Sequence, residues 1–188
     1  AAMSSNVPLP RFLNSCSGPS SLPANRSIQP SLSMSVPTAV WLLVTYMFVH
    51  AGVSHIFFNM LTLYFVGVEL EQVWGTKYFT RFYFASGIGA GLTQVLLGIL
   101  PFAFANQFYY PSTVGASGAI YGLLMAFALY FPTRTFLVFF VFPVQARYFV
   151  MILGGIAFFF SISASNSGVA HVAHLGGILW GYIYMKAR

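Results

Sequence analysis

The chain has 188 residues, 58% of them hydrophobic and only 5% charged, with eight basic residues against two acids and a net charge of +6. Soluble domains carry about 25% charged residues, so a chain this apolar has too little polar surface to cover itself in water, and a bilayer is the solvent that suits it. The basic residues are scattered, with no stripe to follow a phosphate backbone, which argues against nucleic acid as a partner, and the single Cys16 excludes an internal disulfide framework and any Cys-based zinc site.

Residues 1–36 differ from the rest: Pro8, Pro10, Pro19, Pro23 and Pro30 lie among many Ser and Asn residues. This composition predicts a disordered or non-native N-terminal segment, with residues 37–188 forming the membrane domain. The segment is acid-free and Ser-rich with two Arg, a composition shared by organellar transit peptides and by non-native tails. Residues 37–50 are apolar but too short for a spanning helix, which needs about 20 residues. They are expected to lie at the membrane interface, a depth that suits Trp41 and Tyr46.

Five apolar stretches follow, at 54–74, 78–100, 115–131, 147–163 and 169–185, each expected to cross the bilayer. The fold class is therefore an all-α polytopic helical bundle. Residues 132–146 are apolar but bracketed by Pro132 and Pro143, with Arg134 inside, and are expected to form an ordered loop or a helix end. Alternating sides put Lys77, Arg81, Arg134, Arg147, Lys186 and Arg188 together, while the opposite loops, 101–114 and 164–168, hold no charge. The positive-inside rule makes the charged side, and the C-terminus, cytoplasmic. Residues 1–53 then lie outside, with Arg11 and Arg26 on the wrong side. One more span before residue 37 would restore the balance, and a first helix is expected to be absent from this sequence.

Polar side chains at membrane depth are costly and so point to function. His55 and Asn59 open the first span one helical turn apart, Ser117 opens the third, and His174 lies near the start of the last. All three span starts follow outside-facing segments, so the four residues can meet in one layer below the outer surface. Ser117 sits in GASGAIYG, residues 115–122. A serine at a helix N-terminus feels the positive end of the helix dipole, and the free N–H groups there can hold an oxyanion. The same glycines, Gly115, Gly118 and Gly122, serve equally as a packing face for another helix. His174 precedes Gly177 and Gly181, which permit close approach of its helix to that of Ser117. A neutral imidazole within reach of a serine hydroxyl can activate it. His171 shares the His174 face and reads as a structural histidine, and His50, just outside the first span, as one that pins the loop. Asn59 and His55 supply donors of the kind found in oxyanion sites. The only acids, Glu69 and Glu71, lie near the far end of the first span. That excludes a Ser–His–Asp triad and leaves a Ser–His dyad. Glu71, close to Lys77 and Arg81 in the sequence, reads as a structural tie for the cytoplasmic loop.

Taken together these residues resemble the rhomboid intramembrane serine proteases. The family's GxSG is matched by Gly115, Ser117 and Gly118, followed by Tyr121. Its AHxxGxxxG is matched by Ala173, His174, Gly177 and Gly181, its HxxxxHxxxN by His50, His55 and Asn59, and its ExxxG by Glu71 and Gly75. The resemblance runs in order over residues 37–187. It implies a six-helix fold and a Ser117–His174 dyad in a water-filled cavity, with Tyr121 packed against the His174 ring. It also implies an oxyanion site from the Ser117 backbone N–H, His55 and Asn59. The expected substrates are transmembrane helices cut near their outer end, with no metal and no cofactor. Two features depart from the family: its first helix has no counterpart here, the Pro/Ser-rich segment standing in its place, and Trp41 is followed by Leu42 where Trp-Arg is common. The alternatives are a catalytically inactive rhomboid-like protein that binds transmembrane helices, a metal protein using His50, His55, His171 and His174, and a transporter. The last would favour inverted repeats, which the hydropathy does not show. The membrane would be a bacterial inner membrane or an organellar one.

Overall fold

The computed structural model describes residues 36–99, 114–138, 141–163 and 171–187. The N-terminal segment expected at residues 1–36 falls outside them up to residue 35, as do most of the 101–114 loop and the whole of the 164–168 loop. Six helices are described: α1 (Val36–Thr45), α2 (Val53–Trp74), α3 (Thr76–Ile99), α4 (Ser117–Tyr130), α5 (Ala146–Ile162) and α6 (His171–Lys186). A 3₁₀ turn, Tyr46–Phe48, follows α1, and a π-helical turn, Leu63–Gly67, widens the middle of α2.

The expected spans reappear as α2 to α6 with ends shifted by one or two residues. Among the described residues only α2 is both long and apolar enough to cross a membrane by length and composition, while α4 and α5 are apolar but shorter. The reason lies in how each helix is used. Nine residues of α4, from Gly118 to Phe127, are buried, so the helix is enclosed by its neighbours. At about 1.5 Å per residue its 14 residues rise about 21 Å, less than the roughly 30 Å of a hydrocarbon core. Helix α3 trades hydropathy for contact: its run Ala85–Gly91 is almost all small residues, and Ser86, Gly87, Gly89 and Ala90 are buried.

Small residues set the spacing of the bundle. A Cβ placed on Gly177 of α6 would overlap the carbonyl oxygen of Gly118 in α4. One on Gly122 would lie 3.0 Å from the Gly177 oxygen and 2.7 Å from Ser86 Oγ. A Cβ on Gly181 would lie 3.1 Å from the Gly122 Cα. The α4 and α6 backbones therefore touch, and α3 closes the third side. There the Trp180 side chain occupies the space above Gly89, and its indole N–H donates to Thr93 Oγ1 at 3.1 Å. Away from this seam the interior is filled by Val66, Leu70, Phe82, Ile120, Leu123 and Phe127.

The segment 132–146 differs from the expected loop or helix end: Thr135–Val138 (β1) and Phe142–Gln145 (β2) pair antiparallel, Thr135 opposite Gln145 and Val138 opposite Phe142. Pro143 is accommodated because a two-stranded ribbon leaves half its backbone groups unpaired. Phe136 of β1 packs on Phe127 and Phe149, which fixes the hairpin on the bundle. Arg134 pairs with Glu69 at 3.4 Å, an exposed pair worth less than about 1 kcal/mol. Glu71, expected as a structural tie for the loop after α2, makes no ion pair with the nearby Lys77 or Arg81. It contributes its backbone carbonyl, which accepts from Gly75 N–H at 2.7 Å where the chain turns at φ 74°. Ring contacts of Trp74 with Tyr78 and Tyr130, and of Tyr78 with Tyr184, gather the end of α2, the start of α3 and the ends of α4 and α6. Lys77, Arg81, Arg134 and Lys186 lie on or next to these segments, so the basic residues collect at one end of the bundle.

The α4–α6 contact yields a paired test in detergent micelles. Gly177→Ala drives a methyl into backbone that cannot move independently and is expected to cost about 1–3 kcal/mol. Gly155→Ala, on an α5 position where an added Cβ meets nothing within 4 Å, is expected to be neutral or to gain up to about 1 kcal/mol. Thermal unfolding of both variants against the parent reads the difference.

Candidate active site

The end of the bundle opposite the basic residues holds the polar side chains. Ser117 is the first residue of α4, preceded by a turn in which Gly115 adopts φ 104°. That dihedral suits glycine alone, and the surroundings reinforce the choice: a Cβ on Gly115 would lie 2.7 Å from His55 Cε1, 2.9 Å from His55 Nε2 and 3.3 Å from Asn59 Nδ2. The turn thus presses against the two polar residues of α2. As a first-turn residue, Ser117 carries a backbone N–H with no partner inside the helix.

His174, near the start of α6, is buried, and its Nε2 lies 2.9 Å from Ser117 Oγ. This distance follows from the Gly118–Gly177 contact one residue after the serine and three after the histidine. Tyr121, one turn beyond Ser117 on the same face, stacks on the His174 ring with centroids 4.2 Å apart and planes 2° from parallel. The imidazole is held flat against one neighbour while its edge meets the hydroxyl. An imidazole nitrogen at this separation can accept the serine proton, provided that the ring's own proton sits on Nδ1. Nδ1 is buried and has no hydrogen-bond partner among the described residues, so no carboxylate holds it there.

Asn59 is buried, and its Nδ2 has no hydrogen-bond partner among the described residues. An unpaired buried donor costs about 1–3 kcal/mol, which makes this amide ready to receive an incoming oxygen. His55 Nδ1 accepts from the Ala51 N–H at 3.4 Å. That bond puts the proton on Nε2, the nitrogen facing Gly115. His55 Nε2 and Asn59 Nδ2 thus both face the Gly115 turn, two residues before Ser117.

His50 donates from Nδ1 to the Phe48 carbonyl at 3.2 Å, and its ring packs edge-to-face on His55, 5.2 Å between centroids. Both contacts lie in the segment leading into α2. His171 stacks on Phe160 of α5 at 5.2 Å and meets His174 at 6.0 Å between ring centroids. Gly118, Gly177 and Gly181 serve the helix contact described above, and Glu71 with Gly75 lies in the opposite half of α2. The four histidines fall into two pairs, and among the described residues no three His, Cys, Asp or Glu side chains gather where they could hold a metal ion. An open cleft of 460 Å³, lined by Leu129, Tyr130, Tyr182, Met185 and Lys186, lies at the basic end and shares no residue with the serine site.

Tyr46 was missed from sequence. Read as an interfacial tyrosine, it instead turns its hydroxyl into the bundle, donating to the Gly87 carbonyl at 2.6 Å. The signal that could have found it is the glycine run of α3, a groove that calls for a ring to fill it.

The Rhomboid domain profile matches residues 37–187. The chain belongs to the rhomboid family. It is 34% identical over 170 residues to RHOMBOID-like protein 1 of Arabidopsis thaliana, covering 88% of this chain and 39% of that protein. It is 33% identical over 148 residues to the Rhomboid protease GluP of Bacillus subtilis, covering 78% and 26%. It is 33% identical over 138 residues to Rhomboid protein 1, mitochondrial, of Saccharomyces cerevisiae, covering 73% and 38%. The chain therefore spans well under half the length of these relatives. No solved structure matches. Rhomboids are integral membrane proteins, which agrees with the composition and with α2.

The turn before the serine can be tested through its backbone. Gly115→Ala meets both an unfavourable φ and the His55 ring, and is expected to cost about 1–3 kcal/mol in thermal unfolding. Gly52→Ala, at an extended φ of 175° with nothing within 4 Å of an added Cβ, is expected to change stability by less than about 0.5 kcal/mol.

Proposed function

We propose that this chain is an intramembrane serine endopeptidase that cleaves transmembrane helices near their outer end through a Ser117–His174 dyad. The observation that carries the reading is the 2.9 Å approach of His174 Nε2 to Ser117 Oγ, in a buried site with donors on one side. Family membership, and the name of a relative such as the Rhomboid protease GluP, support the same chemistry. His174 takes the proton from Ser117 Oγ as the oxygen attacks the scissile carbonyl carbon. The resulting oxyanion is held by Ser117 N–H, His55 Nε2–H and Asn59 Nδ2. His174 then passes the proton to the departing amine, and water releases the acyl group from Ser117.

The short α4 supports a buried position for this chemistry. With its C-terminal end at one face, a helix of about 21 Å leaves its first residue about 9 Å below the other face of a 30 Å hydrocarbon core. A peptide bond reaching Ser117 must therefore come from a helix already in the membrane, unwound near its end. The basic end of the bundle faces the cytoplasm on this reading, in accord with the positive-inside rule, and the serine opens to the opposite side. The membrane is bacterial or organellar. The reaction asks nothing of a metal or cofactor.

Labelling by a fluorophosphonate probe in native-like membranes tests the dyad. The parent is expected to be labelled, while Ser117→Ala and His174→Ala, with unchanged thermal unfolding, are not. An unlabelled parent would favour an inactive rhomboid-like protein that binds helices. Loss of one oxyanion donor costs about 10²–10³ in rate. Asn59→Ala is accordingly expected to slow labelling about 100-fold without abolishing it, whereas an unfolded Asn59→Ala variant would assign that residue to structure instead.

A further inference from the structure

Ser117 can be in place only if the turn ahead of it is held, and the hold comes from outside α4. The Gly115 N–H, two residues before the serine, donates to the backbone carbonyl of Tyr46 at 2.8 Å. Tyr46 opens the 3₁₀ turn that follows the surface helix α1. Its side chain runs the other way, into the bundle, where its hydroxyl donates to the Gly87 carbonyl of α3 at 2.6 Å. The ring lies against Gly91, one helical turn along α3, where an added Cβ would stand 3.0 Å from Tyr46 Cε1. A Cβ on Gly118, the residue after the serine, would lie 3.4 Å from the same hydroxyl oxygen. One residue thus touches the chain on both sides of Ser117 and fixes it to a third helix.

From these contacts we infer that Tyr46 is a positioning residue for the Ser117 turn, its hydroxyl anchoring on α3 the carbonyl that holds Gly115 against His55 and Asn59. The inference rests on the proposed dyad chemistry and extends it to the segment before α2. Tyr46 itself touches no reacting atom. Its carbonyl and hydroxyl are linked through a short rigid ring, so the height of the Gly115 turn is referred to the backbone of α3. The spacing between Ser117 N–H and the donors of α2 depends on that height, since Gly115 packs directly on both donors. The surface segment α1 and its 3₁₀ turn are then part of the site's support. Loss of the anchor is expected to leave the fold intact. A helix carbonyl has two lone pairs, and Gly87 O keeps its place in the α3 ladder when the tyrosine hydroxyl is removed.

Tyr46→Phe removes the hydroxyl and nothing else. With a fluorophosphonate, the inactivation rate constant kinact reports the poise of Ser117, and KI reports probe binding. The expected result is a kinact about 3- to 10-fold lower, the loss of one net hydrogen bond. KI should stay unchanged, and the amide of Gly115 should exchange its hydrogen faster. Phe48→Ala, exposed on the same 3₁₀ turn, is expected to keep the parent kinact. A labelled parent with Tyr46→Phe at the parent kinact would overturn the inference and leave the dyad standing. An unlabelled parent would overturn the dyad and this inference with it. Equal slowing in Phe48→Ala would overturn it too, by showing general loosening of the segment. Should Tyr46→Phe fail to fold, Gly91→Ala crowds the ring while leaving both Tyr46 hydrogen-bonding groups in place. A lower kinact at unchanged KI there supports the anchor, and the parent kinact refutes it.

Discussion

Two backbones in contact govern this structure. At Gly118 and Gly177 the helices α4 and α6 approach so closely that no side chain fits between them. Within a lipid environment no hydrophobic force drives helices together, so van der Waals contact between small residues must supply the attraction. The contact also sets a length. Ser117 and His174 stand one and three residues from it, and at so short a lever the gap between hydroxyl and imidazole has little freedom to vary. Tyr121 removes the remaining freedom by lying flat on the imidazole. The helix pairing and the polar geometry are thus one feature.

The second organising fact is the separation of ends. Basic side chains and a cluster of aromatic rings collect where α2 ends and α3 begins, and the histidines, Asn59 and Ser117 collect at the other end. Each end suits a different surrounding, and the interior between them is nearly all apolar. Unpaired buried polar atoms lie at both ends and between them: Asn59 Nδ2, His174 Nδ1 and His50 Nε2 near the serine, Ser86 Oγ in α3 and Trp74 Nε1 at the end of α2 have no hydrogen-bond partner among the described residues. Each such group gives up about 1–3 kcal/mol of stability in the folded bundle.

Much of this was legible in the sequence. Five helix positions followed from apolar runs of spanning length, and the gathering of His55, Asn59, Ser117 and His174 followed from the alternation of sides. Both signals are local or additive along the chain. What escaped was encoded in pairs distant in sequence. The hairpin at 135–145 is held by Phe136 packing on Phe127 and Phe149, which no period within the segment announces. Of two glutamates, Glu69 meets Arg134 because of where the hairpin lies, while Glu71 does not. Tyr46 looked like an interfacial aromatic because composition assigns a depth and not a direction. Only the glycines at 87 and 91, more than a hundred ångströms of extended chain away, explain why it turns inward.

The wide turn at Leu63–Gly67 has a bearing on how the two halves of α2 are oriented. A π turn is what remains when an α-helix absorbs one additional residue without unwinding. The segments on either side keep the mutual orientation of a helix one residue shorter, so the surplus is confined to a bulge. An insertion elsewhere in α2 would rotate His55 and Asn59 by about 100° relative to the far end. Helix α2 therefore accommodates an additional residue while the faces on either side of the bulge keep their orientation. Its bulge is a joint between the half that carries His55 and Asn59 and the half that carries Glu69 and Glu71.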